Sequence, residues 1–338
     1  MKTKIISVIT ALAMSAVCLV SCGESCADSP SSRAESSVSV TSATTTKQTT
    51  TEQTTTTTVQ TTTVTQPQPK PSLPAAKACV LYCADDDEYL YEHNMNRKIS
   101  IASTTKLLTA ALAVKYLDPN TMITVGGEIA FIKPESTVAQ LWTGQRLTAE
   151  QLLYGLILPS GNDAAYVVAV NVARAANPGK TLTDEQAVST FVGMMNSYAA
   201  QIGMTSSHFA NPEGWDDEMH YSTLSDMLKL TRHALSIPLI ASVVSTHYKT
   251  VQCASGDTVS WMNTNELLDP NNANYVPEAI GVKTGTTEDA GCCVIAAVKH
   301  GGKTYYCAAM GCNEHNDRYT VVRKLLAWYF KQDNKTAA

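Results

Sequence analysis

Three short segments carry residue types that can make and break an acyl bond. The first is "IASTTKLLTA", residues 101–110, where Ser103 and Lys106 stand three positions apart ahead of a run of leucines and alanines. On a helix, positions i and i+3 share a face, so the amine can reach the hydroxyl. A serine hydroxyl is a weak nucleophile until a base takes its proton, and lysine serves as that base only when its pKa falls. Burial, a positive helix N-terminus and a second cation nearby all push it down. The other reading of Ser103 is a helix N-cap, a position that serine favours.

The second segment is "GVKTGTTEDAG", which puts Lys283, Thr284, Gly285 and Thr286 on a predicted strand. Lys283 can be the second cation, and Thr284 and Thr286 can offer hydroxyls to a carboxylate. Gly285 permits close approach of a substrate backbone to the strand edge. Alternatively, Lys283 is a solvent-facing residue ahead of a turn. The third segment is "ILPSGNDAAY", with Ser160, Gly161 and Asn162 between two helices and after a proline. It reads either as a loop with polar caps or as a working part. In the second case Ser160 passes a proton between Lys106 and a leaving amine, and Asn162 holds the substrate backbone.

These segments need a scaffold. "KACVLYCADDDEYLYEHNMNRKIS" reads as two short strands around an acidic turn. "TKLLTAALAVKYL" is a helix apolar over most of its surface and therefore buried. "TAEQLLYGLILPS" opens a second helix with Thr148 as cap and Gln151 three residues on, and it ends before Pro159. Helices follow in "GNDAAYVVAVNVARAA", in "EQAVSTFVGMMNSYAAQIGM" with Gly203 near its end, and in "LSDMLKLTRHALS". Then "GVKTGT", "CCVIAAVKH" and "KTYYCAAMGC" read as strands separated by glycine turns, and "RYTVVRKLLAWYF" closes as a helix. Strands, helices, strands and a last helix predict an α+β fold, with a helical insert between the two halves of one antiparallel sheet.

The N-terminal part is different. Residues 1–21 begin with two lysines and continue as a short apolar run, the pattern of an export signal and too short for a comfortable membrane span. Leu19-Val20-Ser21-Cys22 is similar to a bacterial lipobox, in which Cys22 is lipidated; plain signal-peptide cleavage is the alternative. Residues 22–74 are rich in threonine and proline and hold almost no large apolar side chains, so they cannot offset the cost of ordering. A flexible tether of this length spans roughly 40 Å on average. Residues 75–338 suffice for one domain with a sizeable core. The net charge of −5 and the lack of a basic patch argue against nucleic-acid binding.

The chain has ten cysteines, of which Cys18, Cys22 and Cys26 fall in the signal and tether. Cys79, Cys83, Cys292, Cys293, Cys307 and Cys312 sit in or beside strand-like runs and are expected to be buried free thiols. Adjacent Cys292 and Cys293 should point to opposite faces of a strand. No paired-cysteine spacing with suitable histidines suggests zinc, and no cofactor is expected.

Ser-x-x-Lys, Ser-x-Asn and Lys-Thr-Gly in this order form the motif set of active-site-serine penicillin-recognising enzymes. Residues 75–332 resemble the serine-type D-Ala-D-Ala carboxypeptidases, the low-molecular-weight penicillin-binding proteins of peptidase family S11. "FVGMMNSYAAQIGMTSSHFANPEGWDDEMHYST" is similar to that family's Met-Asn helix and its Asn-Pro-x-Gly turn with a downstream His-x-Ser/Thr. "GVKTGTTEDAGCCV" and "DRYTVVRKLLAWYF" resemble its third motif and closing helix.

The resemblance implies a β-lactamase/transpeptidase-like fold and a set of roles. Ser103 would form the acyl-enzyme, Lys106 would be its base and Ser160 would relay a proton. Asn162 would hold the substrate amide. Lys283 would supply positive potential, with Thr284 and Thr286 near the substrate carboxylate. The N–H groups of Ser103 and Thr286 would form an oxyanion hole. Arg318 matches a family arginine that orients the terminal carboxylate, although it reads equally as a solvated helix residue. Thr264 stands where some relatives carry a basic residue, which bears on substrate preference.

The partners so implied are peptidoglycan stem peptides ending in D-Ala-D-Ala, with β-lactams as inhibitors. Membrane attachment would run through the N-terminal lipid alone, because the chain ends soon after "LLAWYFKQDNKTAA" and leaves no room for the family's C-terminal β-rich domain or amphipathic anchor. The expected location is the outer face of the bacterial cytoplasmic membrane. A β-lactamase, an endopeptidase and a non-catalytic wall-binding relic of the same fold are the competing readings. The β-lactamase reading lacks the Glu-x-x-Leu-Asn-type segment with which class A enzymes activate water; "NPEGW" offers Glu213, but its surroundings match the carboxypeptidase turn.

Overall fold

The structure, a computed structural model, describes residues 69–336. The predicted export signal, Cys22 and nearly all of the predicted tether lie outside the described residues. The ordered body starts earlier than position 75. Leu73 is 7% exposed and packs into an apolar cluster, and the Pro71 carbonyl accepts from the Tyr91 hydroxyl at 3.0 Å. One large apolar side chain is enough to draw the end of a polar segment onto the domain.

The chain first forms β1 (Ala78–Cys83) and β2 (Glu88–His93). A helical region follows: α1 (Lys106–Tyr116), the small ribbon β3 (Met122–Thr124) and β4 (Arg146–Thr148), α2 (Ala149–Ile157), α3 (Asn162–Ala175), α4 (Asp184–Gln201), α5 (Leu224–Leu235) and α6 (Pro238–Ser245). A hairpin of β5 (Tyr248–Gln252) and β6 (Thr258–Met262) leads to β7 (Ala279–Thr287), β8 (Gly291–His300) and β9 (Lys303–Cys312). The closing helix is α7 (His315–Thr336).

β1, β2 and β7 to β9 make one antiparallel sheet in the order β2-β1-β9-β8-β7. The first strand therefore lies beside the last, with Val80 opposite Ala308. The two halves of the sheet enclose the helices in sequence, as the order of elements predicted. Side chains alternate along β8: Cys293, Ile295 and Ala297 join the larger core, which includes α1 and α3, while Cys292, Val294 and Ala296 join a second core that includes α7. The adjacent cysteines thus face opposite layers. Cys79, Cys83, Cys292, Cys293, Cys307 and Cys312 are free and buried, and so is Cys253.

Local signals set several boundaries. Thr148 Oγ1 accepts from the Gln151 N–H at 3.2 Å while Gln151 Oε1 accepts from the Thr148 N–H at 2.9 Å, the reciprocal cap that opens α2. Thr183 and Gln186 repeat the arrangement at α4. The helix α6 and the β5–β6 hairpin are additional to the sequence reading. Their segments lack strong periodicity, and Trp261, whose indole donates to the Ala139 carbonyl at 2.9 Å, fastens the hairpin to the helical region.

Candidate active site

Ser103 is not a helix cap. It sits in a 3-10 turn, Ala102–Thr105, immediately before α1, and neither that turn nor α1 has a side-chain N-cap bond. The turn is entered through Ala102 in a left-handed conformation with φ +46°. Such a residue costs of order 1–3 kcal/mol and persists only where its surroundings hold it. Here Thr105 Oγ1 donates to the Ala102 carbonyl at 2.8 Å. His220 supports that hydroxyl from behind, 2.8 Å away through Nε2. Its Nδ1 accepts from the Ala210 N–H at 3.1 Å, which leaves the ring proton on Nε2 to donate to Thr105. Burial pulls His220 down to about 4, so the ring is neutral at neutral pH.

Two glycines let neighbouring chain close over this turn. Gly214 has φ +93°, and a Cβ there would lie 2.0 Å from the Ala102 carbonyl oxygen. At Gly285 a Cβ would lie 2.8 Å from the Ser103 nitrogen and 2.9 Å from the Ala102 Cβ. The edge strand β7 therefore reaches the backbone of the candidate nucleophile because residue 285 has no side chain.

Lys106 is fully buried, and its Nζ has three oxygen neighbours. These are Ser103 Oγ at 2.7 Å, Asn162 Oδ1 at 2.7 Å and the Glu213 carbonyl at 2.9 Å. Burial lowers the lysine to about 7, against the opposing pull of Glu213 and Asp163. A neutral amine has two N–H groups and one lone pair. Asn162 Oδ1 and the Glu213 carbonyl can only accept, so they take the two N–H groups. The lone pair is then left for the Ser103 hydroxyl. The sequence reading gave Asn162 to the substrate amide; here its carbonyl oxygen serves the lysine.

Glu213 itself is 1% exposed. Its Oε1 accepts from the Tyr166 hydroxyl at 3.2 Å and its Oε2 has no partner. Burial raises its pKa.

Ser160 and Asn162 lie at the start of α3, both 5% exposed. Ser160 has φ +62°, a second left-handed residue in the site. A loop that sequence reasoning passed over holds this turn. Thr137 Oγ1 donates to the Ser160 carbonyl at 2.8 Å, and the Asn162 N–H donates to the Thr137 carbonyl at 2.8 Å. Asp163 accepts from the N–H groups of Ala139, Leu141 and Ala164 at 2.7, 3.0 and 2.8 Å. Asp163 follows directly on the Ser-x-Asn segment, and its position there was the only sequence cue to this anchoring.

On β7, Lys283 is 1% exposed rather than solvent-facing, and its Nζ donates to the Thr284 carbonyl at 3.0 Å. Burial, then Lys106 and Arg318, hold its pKa well below the ordinary lysine value. Thr284 Oγ1 is 2.7 Å from Thr264 Oγ1, so Thr264 bonds within the site where some relatives place a base. Arg318 is 4% exposed, not solvated, and Nη1 donates to Thr286 Oγ1 at 3.0 Å. Ser103, Ser160, Thr264, Thr284, Thr286 and Arg318 line one cleft of about 430 Å³.

Fold and site together put a buried lysine amine 2.7 Å from a serine hydroxyl at the wall of one cleft, the arrangement of a serine hydrolase. A family model described as D-alanyl-D-alanine carboxypeptidase, peptidase S11, matches residues 60–314. The chain belongs to this family. It is 28% identical over 270 residues to the D-alanyl-D-alanine carboxypeptidase DacF of Bacillus subtilis, covering 76% of this chain and 62% of that protein. It is 33% identical over 226 residues to a D-alanyl-D-alanine carboxypeptidase of Streptomyces sp. strain K15, covering 64% of this chain and 73% of that protein. The crystal structure of the Streptomyces K15 DD-transpeptidase superposes with a TM-score of 0.70 at 29% identity, over 78% of this chain and 99% of that one.

Proposed function

We propose that this protein is a serine-type D-alanyl-D-alanine carboxypeptidase that removes the terminal D-Ala from peptidoglycan stem peptides through an acyl-enzyme on Ser103. The observation that carries the reading is the buried Lys106 Nζ, 2.7 Å from Ser103 Oγ and flanked by two acceptors that leave its lone pair for the serine proton. Ser103 Oγ attacks the carbonyl carbon of the penultimate D-Ala as its proton passes to Lys106. The oxyanion forms beside the N–H groups of Ser103 and Thr286. The C–N bond then breaks, and Ser160 relays the proton from Lys106 to the leaving nitrogen. D-Ala departs, leaving an ester on Ser103. Water attacks the ester, gives up a proton to Lys106, and Ser103 recovers it. Lys283, Thr284, Thr286 and Arg318 receive the terminal carboxylate, and Asn162 borders the peptide amide while it holds the lysine.

β-Lactams would enter as substrate mimics and remain on Ser103. Residues 1–21 direct export and Cys22 carries the lipid that holds the domain at the outer face of the membrane, with the threonine-rich segment to about residue 70 as a tether. Among the described residues, no single helix is long and apolar enough to cross a membrane.

Intact-protein mass spectrometry after incubation with benzylpenicillin tests the reading. A one-equivalent adduct lasting minutes or longer, absent in Ser103→Ala, is the expected result. Rapid penicillin loss without an adduct would favour a β-lactamase. Neither adduct nor turnover would leave a non-catalytic wall-binding protein.

A further inference from the structure

The cleft contains a cation with no carboxylate against it. Arg318 is buried, and Nη1 donates to Thr286 Oγ1 at 3.0 Å and more loosely to the carbonyls of Gly285 and Cys293 at 3.3 and 3.4 Å. Its Nε is buried and has no partner. Among the described residues, no acid lies within ion-pair distance of it. A buried guanidinium in this condition favours an incoming anion.

What holds the guanidinium is a directed chain. Nη2 donates to His315 Nδ1 at 2.9 Å, from one helical turn further along α7. Because Nδ1 accepts, the ring proton is on Nε2, which donates to Glu266 Oε1 at 2.5 Å. The other Glu266 oxygen accepts from Asn274 Nδ2 at 2.7 Å, so the carboxylate is itself fixed. Glu266 in direct contact with Arg318 would neutralise the cation and occupy its donors. An imidazole placed between them orients the guanidinium and keeps its unpartnered Nε clear of the carboxylate, whose charge acts on Arg318 only across the ring.

We propose that His315, backed by Glu266, is a positioning residue that aims Arg318 at the terminal carboxylate of the substrate and so selects chain ends over internal peptide bonds. The inference rests on the carboxypeptidase reading. A peptide bond inside a chain offers an amide where a chain end offers a carboxylate, and only the carboxylate gains from a fixed guanidinium. The discrimination between the two therefore depends on a residue of the cleft wall that acts through Arg318 and makes no contact with Ser103.

Acylation of the full chain by benzylpenicillin and by its uncharged methyl ester, followed by mass spectrometry, measures that discrimination. The wild type must first acylate on Ser103; if it does not, the functional reading fails and not this one. In an acylating enzyme, His315→Ala should lower the carboxylate-over-ester preference about tenfold, the scale of one hydrogen bond to a charged group. KM for a D-Ala-D-Ala peptide should rise by a larger factor than kcat falls. His315→Asn, whose Oδ1 replaces the Nδ1 acceptor, should keep most of the preference. If His315→Ala fails to fold, Glu266→Ala carries the same expectation at smaller size. Equal slowing of both probes, or an unchanged preference, would overturn the proposal.

Discussion

The Glu213 carbonyl accepts from Lys106 Nζ at 2.9 Å, while the Glu213 carboxyl is buried with Oε2 unpartnered. One residue thus aligns the candidate base through its backbone and acts on its charge through its side chain. Acylation needs the neutral amine, so kcat/KM should rise with pH through the lysine's pKa, which burial sets at about 7. Wherever Glu213 is ionised it favours the ammonium and holds that limb at higher pH. Glu213→Gln removes the charge and keeps the backbone carbonyl. The acid limb of the kcat/KM profile should then move to lower pH, by on the order of one unit. A limb that stays in place or moves up would show that the carboxyl does not act on Lys106.

His220 gives a second pH signature, in stability. Burial depresses its folded pKa to about 4 from the ordinary histidine value of 6.5. The unfolded chain therefore binds the extra proton first as pH falls, and stability drops between about 6.5 and 4. The loss from this one group is on the order of 3 kcal/mol. Urea unfolding at pH 7 and pH 4, for wild type and His220→Gln, isolates it from the carboxylates that titrate in the same range. A difference between the two proteins that does not change with pH would refute the assignment.

Gly285 should be sensitive in rate more than in folding. A Cβ there meets the Ser103 nitrogen at 2.8 Å, so Gly285→Ala must push β7 away from the nucleophile turn. A displacement of about 1 Å in such a site can cost about 100-fold. Penicillin acylation of Gly285→Ala should slow on that scale. Gly179→Ala, where a Cβ would meet nothing within 4 Å, serves as control. Equal acylation rates in the two variants would mean that the close approach has no catalytic consequence.

The order of elements and the three motif segments were legible because each rests on local pattern or on fixed spacing. The α+β layout followed from where strands and helices fall along the chain, and Ser103 and Lys106 from three-residue spacing. The left-handed conformations of Ala102 and Ser160 were not legible, since neither residue type favours them. They are imposed by partners distant in sequence, such as His220 acting through Thr105 and Thr137 acting on the Ser160 carbonyl. His315 and Glu266 escaped notice for the same reason: nothing near either in sequence indicates that α7 brings them together. Arg318 drew attention only through resemblance, and its burial is a property of the packed sheet.

The pairing of β1 with β9 has a consequence for how the molecule comes into being. Val80 meets Ala308 only after almost every other element has been made, so the central sheet cannot close on a partial chain. Contacts so remote along the polypeptide slow folding. A nascent chain of this topology remains open until its last strand is available, and an unfolded thread is the form that can pass through a narrow secretion pore. The arrangement that places Gly285 against Ser103 thereby delays assembly of the candidate cleft until synthesis is nearly complete.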